Sequence, residues 1–197
     1  MTMHNKPSLL LYLHGFNSSP QSHKAQLMRE FCQNHRPDIR FVAPQLPVYP
    51  EPCIQSLRTL CDELSQEYQI GLVGSSMGGY LSTWLNKEYG FKAALINPAA
   101  RPFDLLQDYL GPQFNPYTEE KYILKQEHVE QLRAIDVAKI NQTADFWLLQ
   151  QKGDEVLDYR QAVDKFIGCK QTVEEDGDHS FIGFERYPSA IVEFLQL

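Results

Sequence analysis

Ser76 lies at the centre of a Gly-x-Ser-x-Gly pentapeptide that directly follows a short apolar run. This arrangement is typical of a serine placed on a sharp turn between a strand and a helix, where its exposed hydroxyl can attack an acyl carbonyl. The turn brings the residues two before and two after the serine so close that a Cβ at either would collide, and Gly74 and Gly78 remove that clash. Ser75 has no glycine two residues before it, so Ser76 is the predicted nucleophile. The competing interpretation is a structural glycine turn with two incidental serines.

The elbow with a strand before it and a helix after it resembles the α/β-hydrolase superfamily, and this resemblance implies an acid in the loop after a late strand that orients a catalytic histidine. Asp154 lies in such a loop, shortly after the apolar run 145–151. Asp158 is the second candidate, but it lies where the next helix begins, and an aspartate there is more often a helix cap. Asp136 and Asp145 lie before the apolar residues of this run, and we interpret them as turn or surface residues.

The same resemblance implies a general base after the last strand, and His179 follows the predicted short strand 171–175. It is the only histidine after His128. A lone histidine is more often a surface or packed residue, but this one completes the superfamily's order of serine, acid and histidine. The sequence therefore predicts that His179 takes the proton from Ser76.

Two backbone N–H groups are needed to stabilise the oxyanion that forms during such an attack. Met77, directly after the nucleophile, is one predicted donor. Phe16 is the other, because the loop after the first apolar run carries His14-Gly15, which resembles the superfamily's His-Gly pair. Gly15 would let the backbone approach the substrate. We interpret His14 as a packing residue beneath that loop and not as a proton carrier.

Short apolar runs alternate with longer stretches of helical spacing, a pattern that indicates a parallel α/β sheet. The predicted strands are 8–13, 39–43, 70–75, 93–97, 145–151 and 171–175, and the predicted helices are 22–32, 54–68, 77–89, 119–134, 159–167 and 181–197. A series of prolines closes the second strand, and no helix interior accepts them.

The connection between Asn97 and Asp145 contains 47 residues, more than a single crossover helix needs. It carries five aromatic residues, Phe103, Tyr109, Phe114, Tyr117 and Tyr122, among prolines, and a helix is predicted at 119–134. Long connections are often lids or binding loops, although a second crossover helix with an irregular lead is the simpler interpretation. We therefore expect one domain over 1–197 with a lid-like insert at about 101–140.

The composition is that of a globular protein, with 43% hydrophobic residues and a formal net charge of −7. This charge makes nucleic acid or an anionic membrane an unfavourable main partner. The apolar run 9–13 is too short for a secretory signal, and no run is long enough to span a membrane. The cysteines show no zinc-ligand spacing and are interpreted as reduced thiols: Cys32, Cys53, Cys61 and Cys169.

With these residues in this order on an α/β pattern, the chain resembles the α/β-hydrolase superfamily. The resemblance covers nearly the whole sequence, although the superfamily's opening antiparallel strands have no counterpart. It implies a compact α/β-hydrolase fold, with a mainly parallel sheet of about six strands, helices on both faces and a short lid-like insert. It also implies that Ser76, Asp154 and His179 act as a catalytic triad.

Within the superfamily, four segments resemble the YqiA-type family of small bacterial esterases, namely 12–20, 74–80, 97–103 and 150–162. This resemblance implies a cytoplasmic enzyme that cleaves acyl esters or thioesters through an acyl-enzyme. It implies a small-molecule substrate and no cofactor or metal.

The substrate is less constrained by the sequence. Arg101 is a candidate contact for an anionic leaving group such as a phosphate-bearing thiol, or a helix cap, or a partner of Asp104. Phe103 opens an aromatic stretch, 103–122, that is a candidate floor for an acyl pocket. A short-acyl esterase and a long-chain acyl-CoA thioesterase both stay open. A hydrolase-like scaffold that binds a ligand or partner without turnover is the third candidate.

Overall fold

A computed structural model describes residues 6–197. Its strands are β1 Ser8–Leu13, β2 Arg40–Val42, β3 Gln69–Ser75, β4 Lys92–Ile96, β5 Gly111–Phe114, β6 Lys121–Leu124, β7 Phe146–Gln151 and β8 Lys170–Glu174. Its α-helices are α1 His23–His35, α2 Pro50–Glu67, α3 Met77–Tyr89, α4 Pro102–Leu105, α5 Gln126–Ala134, α6 Tyr159–Lys165 and α7 Pro188–Leu195. Six strands form one parallel sheet in the order β2-β1-β3-β4-β7-β8, which confirms the predicted fold class.

The central strands are apolar on both faces because helices cover the sheet on both sides. Successive side chains of a strand point to opposite faces, and β1 shows this directly. Leu9, Leu11 and Leu13 join a buried cluster that includes residues of α2, α3 and α6. Leu10 and Tyr12 join the cluster on the other face, with residues of α1 and α7. The sheet therefore lies between two buried apolar clusters.

The strand register gathers the predicted site residues at one edge of the sheet. Leu13 pairs with Gly74, and Ser75 pairs with Ile96. Ile96 pairs in turn with Leu149. Since all six strands run in the same direction, the loops that follow β1, β3, β4, β7 and β8 open at the same edge, where ligands of open α/β sheets bind.

Two predicted helix boundaries are wrong, and proline explains both. Helix α2 begins at Pro50 and not at residue 54, since proline is accepted in the first turn of a helix, where its missing N–H is not needed. The closing helix does not begin at Phe181, which has a positive φ of 64°. A short 3₁₀-helix, Phe184–Arg186, comes first, and α7 then begins at Pro188.

The insert also differs from its prediction. Residues 119–134 do not form one helix, because β5 and β6 pair as an antiparallel hairpin before α5 begins. The Asn115 side chain accepts hydrogen bonds from the N–H groups of Tyr117 and Thr118 and so builds the turn of the hairpin. In β6, Tyr122 and Leu124 are buried and alternate with exposed residues, which is the period of a strand and not of a helix.

Other expectations concern the chemistry of the whole chain. The four cysteines are free thiols. Within residues 6–197, no helix combines the length and the apolar character needed to cross a bilayer. In the same part of the chain, no group of three or more histidine, cysteine, aspartate or glutamate side chains is arranged to hold a metal ion.

Candidate active site

Ser76 occupies the turn between β3 and α3 with φ 54° and ψ −118°, a backbone conformation that residues with a Cβ rarely adopt. A Cβ at Gly74 would overlap the carbonyl group of Gly78, as the sequence predicts. At Gly78 itself the main obstacle is different, because a Cβ there would overlap the carbonyl of Leu13 at the end of β1. The second glycine therefore lets the elbow lie against the neighbouring strand.

Hydrogen bonds hold this strained residue from two sides. The Ser76 N–H donates to the carbonyl of Ile96 at 3.1 Å, and the Ser76 carbonyl accepts from the N–H of Ala99 at 3.0 Å. Gly79 in the first turn of α3 donates to the same carbonyl at 3.0 Å. The end of β4 and the loop after it thus fix the position of the serine.

The structure brings the three predicted catalytic residues together. The Nε2 atom of His179 lies 3.2 Å from the Ser76 Oγ, and its Nδ1 atom lies 2.8 Å from the Asp154 Oδ2. An Nδ1–H that donates to the carboxylate leaves Nε2 free to accept the serine proton. The arrangement has the geometry of a nucleophile, a base and an orienting acid.

The carboxylate of Asp154 is completely enclosed, with a side-chain exposure of 0%. Its Oδ1 accepts hydrogen bonds from the N–H groups of Val156 and Leu157, at 2.9 and 2.8 Å. Its Oδ2 is therefore turned toward His179. The second candidate acid, Asp158, is the N-cap of α6, and its side chain accepts a hydrogen bond from the N–H of Arg160. It caps the helix, as expected from its position in the sequence.

Asn97 is a residue of this site that the sequence analysis missed. It is fully buried at the end of β4 and has a positive φ of 40°. Its side-chain amide donates to the carbonyls of Asp178 and His179, at 2.8 and 3.2 Å. Its Oδ1 accepts from the Gln151 N–H at 2.8 Å and from the Gln150 side chain at 3.0 Å. Asn97 thus joins β4, β7 and the loop that carries His179.

Gln151, the last residue of β7, holds the same loop and was also missed. Its Oε1 accepts from the N–H groups of Asp178 and Ile182, at 3.2 and 2.9 Å. Its Nε2 donates to the Ile182 carbonyl at 2.8 Å and to the Glu174 carboxylate at 2.6 Å. A polar residue at the end of an otherwise apolar strand was the available signal for Gln151, as it was for Asn97.

The predicted oxyanion donors lie on either side of the serine. Met77 is the first residue of α3, where backbone N–H groups have no intrahelical partner and the helix dipole is positive. Within residues 6–197, neither the Phe16 N–H nor the Met77 N–H donates a hydrogen bond. A Cβ at Gly15 would lie 3.3 Å from the Ser76 Cβ, so a glycine there lets the loop approach the serine.

His14 has the packing role expected of it. It is 3% exposed, and its Nε2 accepts a hydrogen bond from the N–H of Leu46 at 3.0 Å. Its Nδ1 lies 2.9 Å from the Gly15 carbonyl and therefore carries the proton. Burial lowers the pKa of His14 and keeps the ring neutral.

A cleft with a volume of about 200 Å³ opens over Ser76 and His179. Its wall is mostly apolar, and the insert supplies Pro102, Leu105, Leu106 and Tyr109. The other lining residues are Phe16, Ser76, Met77, Ala99, Val156, Leu157 and His179.

The two candidate substrate contacts do not line this cleft. Phe103 is 2% exposed and packs against Tyr80 beneath the guanidinium groups of Arg101 and Arg133, so it is a core residue of the insert. Arg101 forms an ion pair with Asp104 at 2.5 Å. Arg101 lines a separate pocket of about 130 Å³ that shares four wall residues with the cleft.

Comparisons with known proteins agree with this architecture. A chain from Agrobacterium vitis S4 superposes with a TM-score of 0.77 at 20% identity, covering 96% of this chain and 88% of that one. Mouse alpha/beta hydrolase domain-containing protein 10 gives a TM-score of 0.73 at 16% identity, with coverages of 98% and 92%. Est1E from Butyrivibrio proteoclasticus with ferulic acid bound gives 0.73 at 18% identity, with coverages of 97% and 89%.

At these identities the shared property is the fold, and family membership rests on a separate match. The model of the Uncharacterised protein family (UPF0227) matches residues 9–196. That match takes in the elbow, the acid loop, the histidine loop and the insert. The chain is therefore a member of the UPF0227 family, built on the α/β-hydrolase fold.

Proposed function

We propose that this protein is a serine hydrolase that cleaves carboxylic esters of small acyl substrates. The observation that carries the proposal is the continuous hydrogen-bonded chain from Ser76 through His179 to the enclosed carboxylate of Asp154. Side chains from three separate loops form this chain, and the serine at its end has a strained backbone facing a cleft. A merely structural serine needs none of these features.

In the proposed mechanism, His179 takes the proton of Ser76 as the serine oxygen attacks the acyl carbonyl. The N–H groups of Phe16 and Met77 stabilise the oxyanion, and Asp154 stabilises the imidazolium. His179 then gives its proton to the leaving alcohol, and an acyl-enzyme forms on Ser76. Water, deprotonated by the same histidine, releases the acid and restores the serine.

The chemistry of the cleft supports an uncharged ester as substrate. Its wall is mainly aliphatic and aromatic. The titratable groups that line it are the His179 imidazole and the Tyr109 phenol. Est1E, which shares the fold, has been seen with ferulic acid. For the present chain we propose the broader class of small carboxylic esters.

A thioester with an anionic leaving group is a second candidate substrate. The observation that favours it is the guanidinium group of Arg101, which lines a pocket that shares Ala99, Leu105, Val156 and Leu157 with the cleft. In the structure Asp104 already neutralises this guanidinium group, which is why we place the neutral ester first.

We also propose that residues 1–197 act as one domain in which the insert at about 101–140 covers the site. The insert supplies four of the residues that line the cleft, and it has its own apolar cluster around Phe103, Leu106 and Tyr122. It therefore shapes the space over the serine as a preformed cover.

Labelling with a fluorophosphonate probe tests the proposed function. We expect the wild-type protein to label near neutral pH and Ser76→Ala to be silent. Ser75→Ala is the matched control, because it removes a hydroxyl from the adjacent, 7% exposed residue and should label like wild type. Circular dichroism would establish that each protein is folded. A folded wild-type protein that does not label would instead support the scaffold without turnover.

A further inference from the structure

A second cavity lies next to the cleft over Ser76. Phe16, Met77 and Leu106 line both cavities, so these three side chains form the boundary between them. The second cavity, here called the inner chamber, has a volume of about 60 Å³ and is lined by neither Ser76 nor His179. Leu46, Val48, Leu124 and Leu132 belong to its wall and not to that of the cleft.

The polar side chains at the inner chamber are already engaged by the protein. The Asn17 Oδ1 accepts from the Tyr122 hydroxyl at 2.8 Å, and the Asn115 amide donates to the Ser18 carbonyl at 3.1 Å. His14, which also lines the chamber, is neutral and bonded to the Leu46 N–H. The chamber therefore offers an occupant apolar surface and no charge.

The direction of the reaction assigns the two cavities to the two halves of an ester. His179 must protonate the leaving oxygen, so the leaving group lies on the side of the histidine, and His179 lines the cleft. The carbonyl oxygen faces the N–H groups of Phe16 and Met77. The remaining substituent of the carbonyl carbon is the acyl chain. The inner chamber is a cavity that shares Phe16 and Met77 with the cleft and that His179 does not line.

We infer that the inner chamber receives the acyl chain and limits the substrates to short, uncharged chains, while the cleft receives the leaving group; this inference rests on the proposed function. A volume of 60 Å³ holds about two water-sized groups at roughly 30 Å³ each. The last two carbons of a butanoyl chain fill about that space. The flexible side chain of Met77 and the aromatic ring of Phe16 lie at the boundary that the acyl chain must cross.

Val48 and Val156 provide a matched pair of sites for the test. Val48 lines the inner chamber only and is partly buried, whereas Val156 lines the cleft and not the chamber, and is 42% exposed. The experiment measures kcat/KM of wild type, Val48→Phe and Val156→Phe on p-nitrophenyl acetate, butyrate, hexanoate and octanoate. The leaving group is the same throughout, so only the acyl chain varies.

We expect wild type to prefer butyrate. Val48→Phe should lower the preference for butyrate over acetate by about tenfold or more, since one methylene in an apolar pocket is worth roughly 10- to 200-fold. Val156→Phe should leave the acyl preference unchanged. Val48→Ala enlarges the chamber and should shift the preference toward hexanoate, which keeps the inference testable if Val48→Phe does not fold.

Two results would overturn the inference. One is an unchanged acyl preference in Val48→Phe and Val48→Ala. The other is an equal change in Val156→Phe, which would place the acyl chain in the cleft. Both leave the proposed function standing if Ser76 still labels with the fluorophosphonate. Absence of labelling and of hydrolysis in the wild-type protein would instead remove the proposed function, and the inference with it.

Discussion

Asp154→Asn is the substitution whose effect follows most directly from the structure. The Asp154 Oδ1 accepts from the N–H groups of Val156 and Leu157, while Oδ2 faces the Nδ1 of His179. An asparagine must keep its carbonyl oxygen on the two backbone donors, so its NH₂ group must face the histidine. The imidazole then accepts at Nδ1 and carries its proton on Nε2, where it can no longer take the proton of Ser76.

The size of the effect follows from this forced tautomer. The substitution keeps the shape of the side chain, so the fold and the cleft should persist while the base is in the wrong protonation state. Losses of about 10⁴ in kcat are typical when an orienting aspartate of this kind becomes an amide. We therefore expect kcat on p-nitrophenyl butyrate to fall by about that factor, with KM nearly unchanged.

Steady-state kinetics with a matched control would test this reasoning. Asp158→Asn changes the same side chain four residues away, at the N-cap of α6, and should keep near-wild-type kcat because asparagine caps helices as well as aspartate does. If Asp154→Asn retained activity within about tenfold of wild type, its carboxylate would not be setting the tautomer. If Asp158→Asn were the inactive variant, the acid would be wrongly assigned.

Three further substitutions test the supports of the site, each with urea unfolding as the stability measurement. Asn97→Ala leaves the Gln151 N–H and the His179 carbonyl without partners, while the Asp178 carbonyl keeps only the Phe181 N–H. We expect the unfolding free energy to fall by about 1–3 kcal/mol and kcat per folded molecule to fall more than KM changes, whereas an unchanged kcat would contradict a positioning role. Gly78→Ala drives a Cβ into a backbone carbonyl, so we expect a loss of about 1–3 kcal/mol or more, and wild-type stability would refute the steric reasoning. Burial raises the pKa of Glu174, but hydrogen bonds from Tyr187, Gln151 and an arginine outweigh it and hold the pKa below its usual value. Wild type should therefore lose stability as the pH falls through the usual range of a glutamate, roughly pH 4, and Glu174→Gln should lose less. Equal slopes of stability against pH would argue against a role of this carboxylate.

The sequence predicted the elbow, the acid and the base because each depends on local chemistry. Gly74 and Gly78 mark a turn that requires glycine, and Asp154 and His179 each follow a segment that is predicted to be a strand. The six parallel strands were likewise predictable from alternating apolar runs. The order of the strands across the sheet was not predicted, yet this order brings the loops after β3, β7 and β8 together.

The features that the sequence did not predict depend on long-range contacts. Asn97 and Gln151 look like ordinary strand ends until the fold brings them to the histidine loop. The hairpin of the insert resembles a helix in composition, and only its alternating burial separates the two. Phe103 was expected at the substrate, but aromatic character alone cannot distinguish a pocket wall from the core beneath it.

The insert supplies walls of the cleft, but the hydrogen bonds that align the reactive groups come from elsewhere. Asn97, Gln151 and the loop around Asp154 hold the histidine, and the end of β4 holds the serine. The residues that align Ser76 and His179 are therefore separate from the insert that lines the cleft. If the proposed function is correct, substitutions in the insert can change which substrates fit the cleft while the alignment of Ser76, His179 and Asp154 is kept.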